Sequence, residues 1–200
     1  KLIEKFLKSD NKYHLYGIAD YVGTPENILL DIALGSDHFA TSFAVGNISL
    51  SANSLKKVFE EKLQAGLGKD DQVGEMDSIA DHMADNDNLL TEVLDQLASW
   101  QLSSVREKVA IHSNTALSTL KKLIDDSNGG VQNEALLKIF RKDEPKDEVL
   151  QILEYIISSL TAGEGKVGEF GDIDVVSGLT QEEVDNHIET AKERIEELNK

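Results

Sequence analysis

Few residue groups in this sequence have the types and spacing that chemistry requires. Gly163-Glu164-Gly165-Lys166-Val167-Gly168 matches G-x-G-x-x-G literally, the loop whose glycines let backbone approach a pyrophosphate at a helix N-terminus. That chemistry needs a strand before the loop. Here the run follows a helical pattern, and Gly165-Lys166 lacks the Ser or Thr of a phosphate-binding loop. Asp81, Asp85 and Asp87 gather carboxylates of the kind that hold hard cations, without the central glycine and terminal glutamate of a calcium loop, so a solvated polar corner is expected. Asp172 and Asp174 are weaker still. The five histidines, His14, His38, His82, His112 and His187, form no i, i+4 pair and no H-E-x-x-H. His112 stands where sibling segments have Asn47 and Asn86, which points to a corner hydrogen bond. The absence of cysteine removes disulfides, thiolate metal sites and a cysteine nucleophile, and fits a reducing cytoplasm. No G-x-S-x-G and no Ser-His-Asp set is present. The expectation is a non-enzyme with no cofactor and no metal.

What remains is surface for a partner. The net charge is −17, and it is unevenly placed: residues 1 to 62 carry 7 basic and 8 acidic groups, residues 63 to 200 carry 13 and 29. Such a field repels phosphate backbones and favours a protein partner with a basic segment. The candidate contacts are Asp125, Asp126, Asp143, Glu144, Asp147 and Glu148, in inter-repeat turns or helix starts, with Asp147 and Glu148 also suited to complement a helix dipole. Trp100, in a turn beside Gln101, is a candidate anchor, with core packing as the alternative. No direct nucleic-acid contact is expected, since Lys56-Lys57 and Lys121-Lys122 are four charges in a negative field. No apolar run reaches membrane-spanning length and no basic-then-apolar leader opens the sequence, so a soluble cytoplasmic protein is expected.

The elements that would carry these residues follow from a repeat. Five times an apolar residue is followed eleven residues later by a leucine that opens a helix-like run: Ile18 to Leu29, Ala44 to Leu55, Met83 to Leu94, Val109 to Leu120 and Ile139 to Leu150. Three residues past each leucine stands Ile32, Val58, Leu97, Leu123 or Leu153. Periods of this size signal a solenoid, in which each unit buries its stripe against the next. The pattern predicts second helices over 23–37, 52–65, 90–99, 116–126 and 146–160, and first helices near 39–46, 76–84, 104–111 and 131–140. Asn, Ser, Thr or Gly should hydrogen-bond the backbone turning between them. Thr24-Pro25 reads as an N-cap followed by the first helical position, and Thr91 and Ser113 to Thr115 as later caps. The interval between Leu55 and Leu94 is 39 residues, the longest in the series, and its glycine-bearing stretch 66–74 reads as a surface loop.

After Leu160 the pattern breaks. Residues 161–179 read as a glycine-rich acidic linker, and Thr180-Gln181-Glu182-Glu183 as a capping box opening a C-terminal amphipathic helix over 180–200. Val184, Ile188, Ala191, Ile195 and Leu198 have heptad-like spacing. Two heptads need something to lie against: the chain's own repeats, a second copy in a homo-oligomer or a foreign partner.

Val109-Ala110-Ile111-His112-Ser113-Asn114-Thr115-Ala116 through Leu120, preceded by Val105-Arg106, resembles the leucine-rich repeat variant family, whose pattern runs roughly V-R-x-x-V-A-x-N-x-N-T-P-x-x-x-L. Thr24-Pro25 and Ala84, Asn86, Asn88 and Glu92-Val93-Leu94 share parts of it. The resemblance spans about residues 18–160. It implies an all-α, right-handed α-solenoid of about five short two-helix repeats related to armadillo and HEAT arrays. Proline is missing at most corners, and the cysteine-bound cluster of some family members is excluded here. The expected organisation is a helical repeat domain over 1–160, the linker 161–179 and the tethered helix 180–200. The expected function is protein binding through an acidic surface. The alternatives are an acidic DNA mimic, a nucleic-acid-linked array or a structural homo-oligomer.

Overall fold

The computed structural model describes residues 2–64, 73–142, 145–163 and 181–200. The expected loop 66–74 (apart from its last two residues), Asp143, Glu144, Asp172, Asp174, Thr180 and most of 161–179 lie outside them. Among the described residues the chain is all-helical, with twelve α-helices and no strand. It divides into two compact units, Lys1–Asn114 and Thr115–Lys200. The C-terminal helix belongs to the second unit.

In the N-terminal unit the helices alternate. First helices are α2 (Lys12–Asp20), α4 (His38–Gly46), α6 (Val73–Ala84) and α8 (Ser103–Ile111). Second helices are α1 (Leu2–Leu7), α3 (Glu26–Ala33), α5 (Ala52–Val58), which runs on into a π-helical turn over Phe59–Leu63, and α7 (Thr91–Leu97). The first helices stack in order, α2 on α4, α4 on α6 and α6 on α8. Leu29, Leu55 and Leu94 are fully buried, as the repeat leucines should be. Helices α1 and α2 were not expected. Ile3 and Phe6 lie 26 residues before Leu29 and Ile32, so α1 is a second helix by register.

Three corners of this unit are closed by two hydrogen-bonded ladders. At the residue ending each first helix, Asn47 Nδ2 donates to Ala19 O (2.8 Å), Asn86 Nδ2 to Val45 O (2.7 Å) and Asn47 O (3.0 Å), and His112 Nε2 to Asn86 O (3.0 Å). Two residues on, Ser49 donates to Val22 O, Asn88 to Ile48 O and Leu50 O (2.8 and 3.0 Å), and Asn114 to Asp87 O and Leu89 O (3.1 and 2.9 Å). These polar residues thus reach back to the preceding repeat as well as turning their own backbone. His112 Nδ1 accepts from Asn114 N–H (3.1 Å), which fixes the neutral Nε2–H tautomer. Three capping expectations are corrected. The helix over Leu117–Leu123 starts from Ala116 rather than from a cap among Ser113 to Thr115. Helix α3 is flanked by Pro25 rather than capped by Thr24, whose hydroxyl donates back to Ile18 O (2.7 Å). Thr91 lies inside α7 and donates to Asn114 O (3.0 Å). In the latter two cases the hydroxyl satisfies a carbonyl elsewhere in the array.

The C-terminal unit holds α9 (Leu117–Leu123), α10 (Gly129–Phe140), α11 (Lys146–Gly163) and α12 (Gln181–Leu198). Leu120 is fully buried, but the fifth repeat leucine, Leu150, is only half-buried; Val149, Ile152, Leu153 and Ile156 form the inner stripe of α11. Helix α12 packs along α11 and touches α10. Val184, Ile188 and Ala191 are buried and Ile195 and Leu198 half-buried. The stripe offered for a homo-oligomer is thus packed in part against the chain's own α11 and α10.

His187 sits in the same buried stripe, its ring 5.7 Å from that of Phe140, and Nε2 has no hydrogen-bond partner among the described residues. Burial lowers its pKa below the ordinary 6.5, against an opposing pull from Glu183. A lowered histidine pKa means the unfolded chain binds the proton more readily, so stability is full above pH 6.5 and falls as pH drops below it. The urea midpoint of this unit should be lower at pH 5.5 than at pH 7.5. His187→Leu should flatten that difference, and a pH dependence unchanged in the variant would contradict the assignment.

Candidate functional site

The acidic candidates fall in the C-terminal unit. Asp125 is exposed just past α9 and accepts from the Tyr155 hydroxyl of α11 (2.8 Å), whose ring in turn receives Lys121 Nζ at 5.1 Å from its centroid. Asp126 is half-buried and accepts from Asn128 N–H (2.8 Å), shaping the entry to α10. Asp147 and Glu148 are exposed in the first turn of α11, where carboxylates complement the helix dipole. Tyr155 therefore links Asp125 to the helix that carries Asp147 and Glu148. Asp143 and Glu144 lie outside the described residues.

Trp100 is corrected. It is 3 % exposed, and its indole N–H donates to Asp77 Oδ1 at 2.7 Å. An anchor for a partner must present its ring to solvent, and this one is consumed by the core.

Two of the carboxylates that the sequence offers to a cation hold a lysine instead. Lys108 Nζ lies 2.6 Å from Asp81 Oδ2 and 2.7 Å from Asp85 Oδ2. Burial lowers the Lys108 pKa, but hydrogen bonds and attraction from the two carboxylates outweigh it and the net shift is upward. No cluster of three metal-ligating side chains occurs among the described residues, and none of their helices is long and apolar enough to cross a membrane.

Three other described cations pair with the chain's own carboxylates. Lys56 pairs with Glu92 (2.5 Å), Lys57 with Glu61 (3.8 Å) and Arg194 with Glu197 (2.8 Å). A second feature was missed by sequence reasoning, an exposed line of aromatic rings on the first helices of the N-terminal unit. Tyr13 meets Tyr16 (5.9 Å between centroids), Tyr16 meets Phe39 (6.2 Å) and Phe43 (5.9 Å), and Phe43 meets His82 (6.2 Å). Tyr13 and Phe39 are 69 % and 53 % exposed. The signal was present: Tyr13 and Phe39 are 26 residues apart, one repeat. Partial burial and then the adjacent Asp37 push the Tyr16 hydroxyl pKa up, and that hydroxyl donates to Asp37 Oδ2 (3.3 Å).

Comparison with solved structures gives similarities at low sequence identity. The chain is similar to designed armadillo repeat proteins. One, solved in complex with the peptide (KR)4, is 19% identical over 98% of this chain and 99% of that one, with a TM-score of 0.47. A second is 18% identical over 98% and 100%, with a TM-score of 0.48. An engineered protein is 16% identical over 96% of each chain, with a TM-score of 0.44. No family model and no curated protein matches the chain. The repeat assignment stands on the paired corner ladders themselves.

Proposed function

We propose that the chain is a non-enzymatic helical-repeat module that binds another protein through its acidic surface, and that the partner supplies a basic segment. The single observation that carries this is the excess of 37 acidic groups over 20 basic ones, of which Lys56, Lys57, Lys108 and Arg194 already pair with the chain's own carboxylates. A surface of uncompensated carboxylates attracts cations at long range and discriminates against nucleic acid. We assign the array to the leucine-rich repeat variant type on the same footing, supported by Asn86 with Asn88 and His112 with Asn114 occupying the two ladder positions.

A labelled alternating Lys-Arg octapeptide should bind at low salt and weaken about tenfold or more in about 0.5 M salt, where surface charges are screened. Replacing Asp125, Asp126, Asp147 and Glu148 together by their amides should weaken it further at low salt. Equal binding by the amide variant would remove these four residues from the proposal. Preferential binding of a DNA duplex would overturn it.

A further inference from the structure

Buried polar side chains are satisfied differently in the two units. In the N-terminal unit Asn47, Asn86 and His112 each hydrogen-bond a carbonyl of the preceding repeat. The buried side-chain atoms that have no partner among the described residues, Gln132 Oε1 and His187 Nε2 among them, belong to the C-terminal unit. His187 is the sharper case, because the packing of α12 forces it inward. Val184, His187, Ile188 and Ala191 recur at helical spacing and form the inner face of α12, each under 10 % exposed. That face lies along α11, whose Val149, Ile152, Leu153 and Ile156 are buried in turn. A protonatable ring thus stands in an apolar seam with nothing bonded at Nε2.

The charges around that ring offer an imidazolium little support. From α10 it meets the Phe140 ring, and the end of that helix carries only cations, Lys138, Arg141 and Lys142. Burial and then Lys142 and Arg141 push the Lys138 pKa down. On α11 the inner stripe is apolar, Lys146, Asp147, Glu148 and Glu154 are exposed, and Tyr155 donates to Asp125. On α12 itself Arg194 lies two turns on and donates to Lys142 O at 3.3 Å, while Glu182, Asp185, Glu189, Lys192 and Glu193 are exposed. Glu183, one turn back, attracts a proton to the ring, but it too is exposed and water screens it. The other four histidines, His14, His38, His82 and His112, lie in the N-terminal unit. His187 is therefore the one side chain of the C-terminal unit whose ordinary pKa falls between pH 5.5 and 7.5.

We propose that α12 is an acid-released latch: protonation of His187 lets α12 leave α10 and α11 while α9, α10 and α11 stay folded, and so uncovers the apolar stripe of α11. Charging the ring in the closed form buries a cation in the seam, whereas in the open form the cation is in water. Burial accordingly lowers the pKa of the ring while α12 is packed, and the proton binds more readily once α12 is free. The closed form is at full strength above pH 6.5, and the open form gains as pH falls below it. One histidine that returns to its ordinary pKa on opening shifts the equilibrium by up to about tenfold between pH 7.5 and 5.5. Release is local because α9, α10 and α11 also pack on one another without α12, and native proteins open in such contiguous units. None of the described corner ladders reaches α12. The latch is independent of the acidic-surface reading.

The test is amide hydrogen exchange by mass spectrometry on the full chain at pH 7.5 and 5.5, read as protection factors so that the intrinsic exchange rate cancels. Amides of α12 should lose protection several-fold at pH 5.5, up to about tenfold, while those of α9, α10 and α11 change by less than about twofold. Anilinonaphthalene sulfonate, which brightens on apolar surface, should do so over the same pH range. His187→Leu and His187→Gln are neutral at both pH values, one apolar and one polar, and each should abolish the exchange response and the dye response. Loss of the response in both variants assigns it to the charge on the ring and not to its polarity. Equal loss of protection across α9 to α12 would overturn the latch and leave His187 as a contributor to the stability of the whole unit. Protection of α12 that is the same at both pH values in the wild type, or a pH response that persists in the two variants, would overturn it as well.

Discussion

Trp100→Ala should cost the N-terminal unit about 4 kcal/mol, within the range measured for truncating a large buried aromatic. The ring is 3 % exposed in the turn between α7 and α8, and its N–H reaches Asp77 on α6, itself only 8 % exposed. Truncation therefore opens a cavity and strips a buried carboxylate of its closest donor, leaving Gln101 Nε2 at 3.4 Å. Trp100→Phe separates the two effects. It keeps most of the volume and removes only the donor, so about 1–2 kcal/mol is expected. Arg106 Nη1, which donates to Trp100 O at 2.6 Å, should hold the turn in both variants because it binds backbone. Urea melts followed by far-UV circular dichroism give the stabilities. A domain of ordinary stability survives such a loss, so folded Trp100→Ala should still bind the Lys-Arg octapeptide. A variant as stable as wild type that had lost peptide binding would restore Trp100 to the surface role that its burial denies it.

Much of this fold was legible because burial enforces a period. Leu29, Leu55, Leu94 and Leu120 recur with helical partners three residues on, and an element that must bury one stripe cannot hide that spacing. Leu150 failed because α11 is longer than its predecessors and turns Val149 and Leu153 inward instead. Helix α2 was given no range because Gly17 and exposed Tyr13 dilute its apolar face. The corners were half legible. That Asn47, Asn86 and His112 hydrogen-bond the turn follows from residue type, but that their side chains reach carbonyls 26 to 41 positions earlier does not. Reach across repeats depends on the stacking of helices, and local spacing carries no record of it. The aromatic line was missed for the same reason, since Tyr16 and Phe43 become neighbours only when α2 and α4 stack.

The ladders make Asn86 the most consequential polar residue of the N-terminal unit. Its side chain is fully buried, donates to Val45 O and Asn47 O and accepts from Asn88 N–H (3.0 Å), while its own carbonyl receives His112. Asn86→Ala removes a hydrogen bond from each of two carbonyls and an amide, with Asn47 O keeping the Leu50 N–H. At about 1 kcal/mol each, and more where water cannot enter, the expected loss is about 3 kcal/mol. Ser49→Ala, at a half-buried position with a single bond to Val22 O, should cost under about 1 kcal/mol because water can replace the hydroxyl. Asn86→Asp is the sharper test. The carboxylate matches the amide in shape but presents oxygen to two carbonyl oxygens with no proton between them, so at pH 7 it should be worse than alanine. Acidification should narrow that gap, since the introduced carboxyl regains one donor once it is protonated. His112→Asn should be tolerated, because asparagine is what the other corners use, whereas His112→Ala leaves Asn86 O and Asn114 N–H without it. Urea melts read by the fluorescence of Trp100, the chain's one tryptophan, would measure the series. If Asn86→Asp proved as stable as wild type at pH 7, the donor side of the ladder would be idle, and the repeats would be held by their leucines alone.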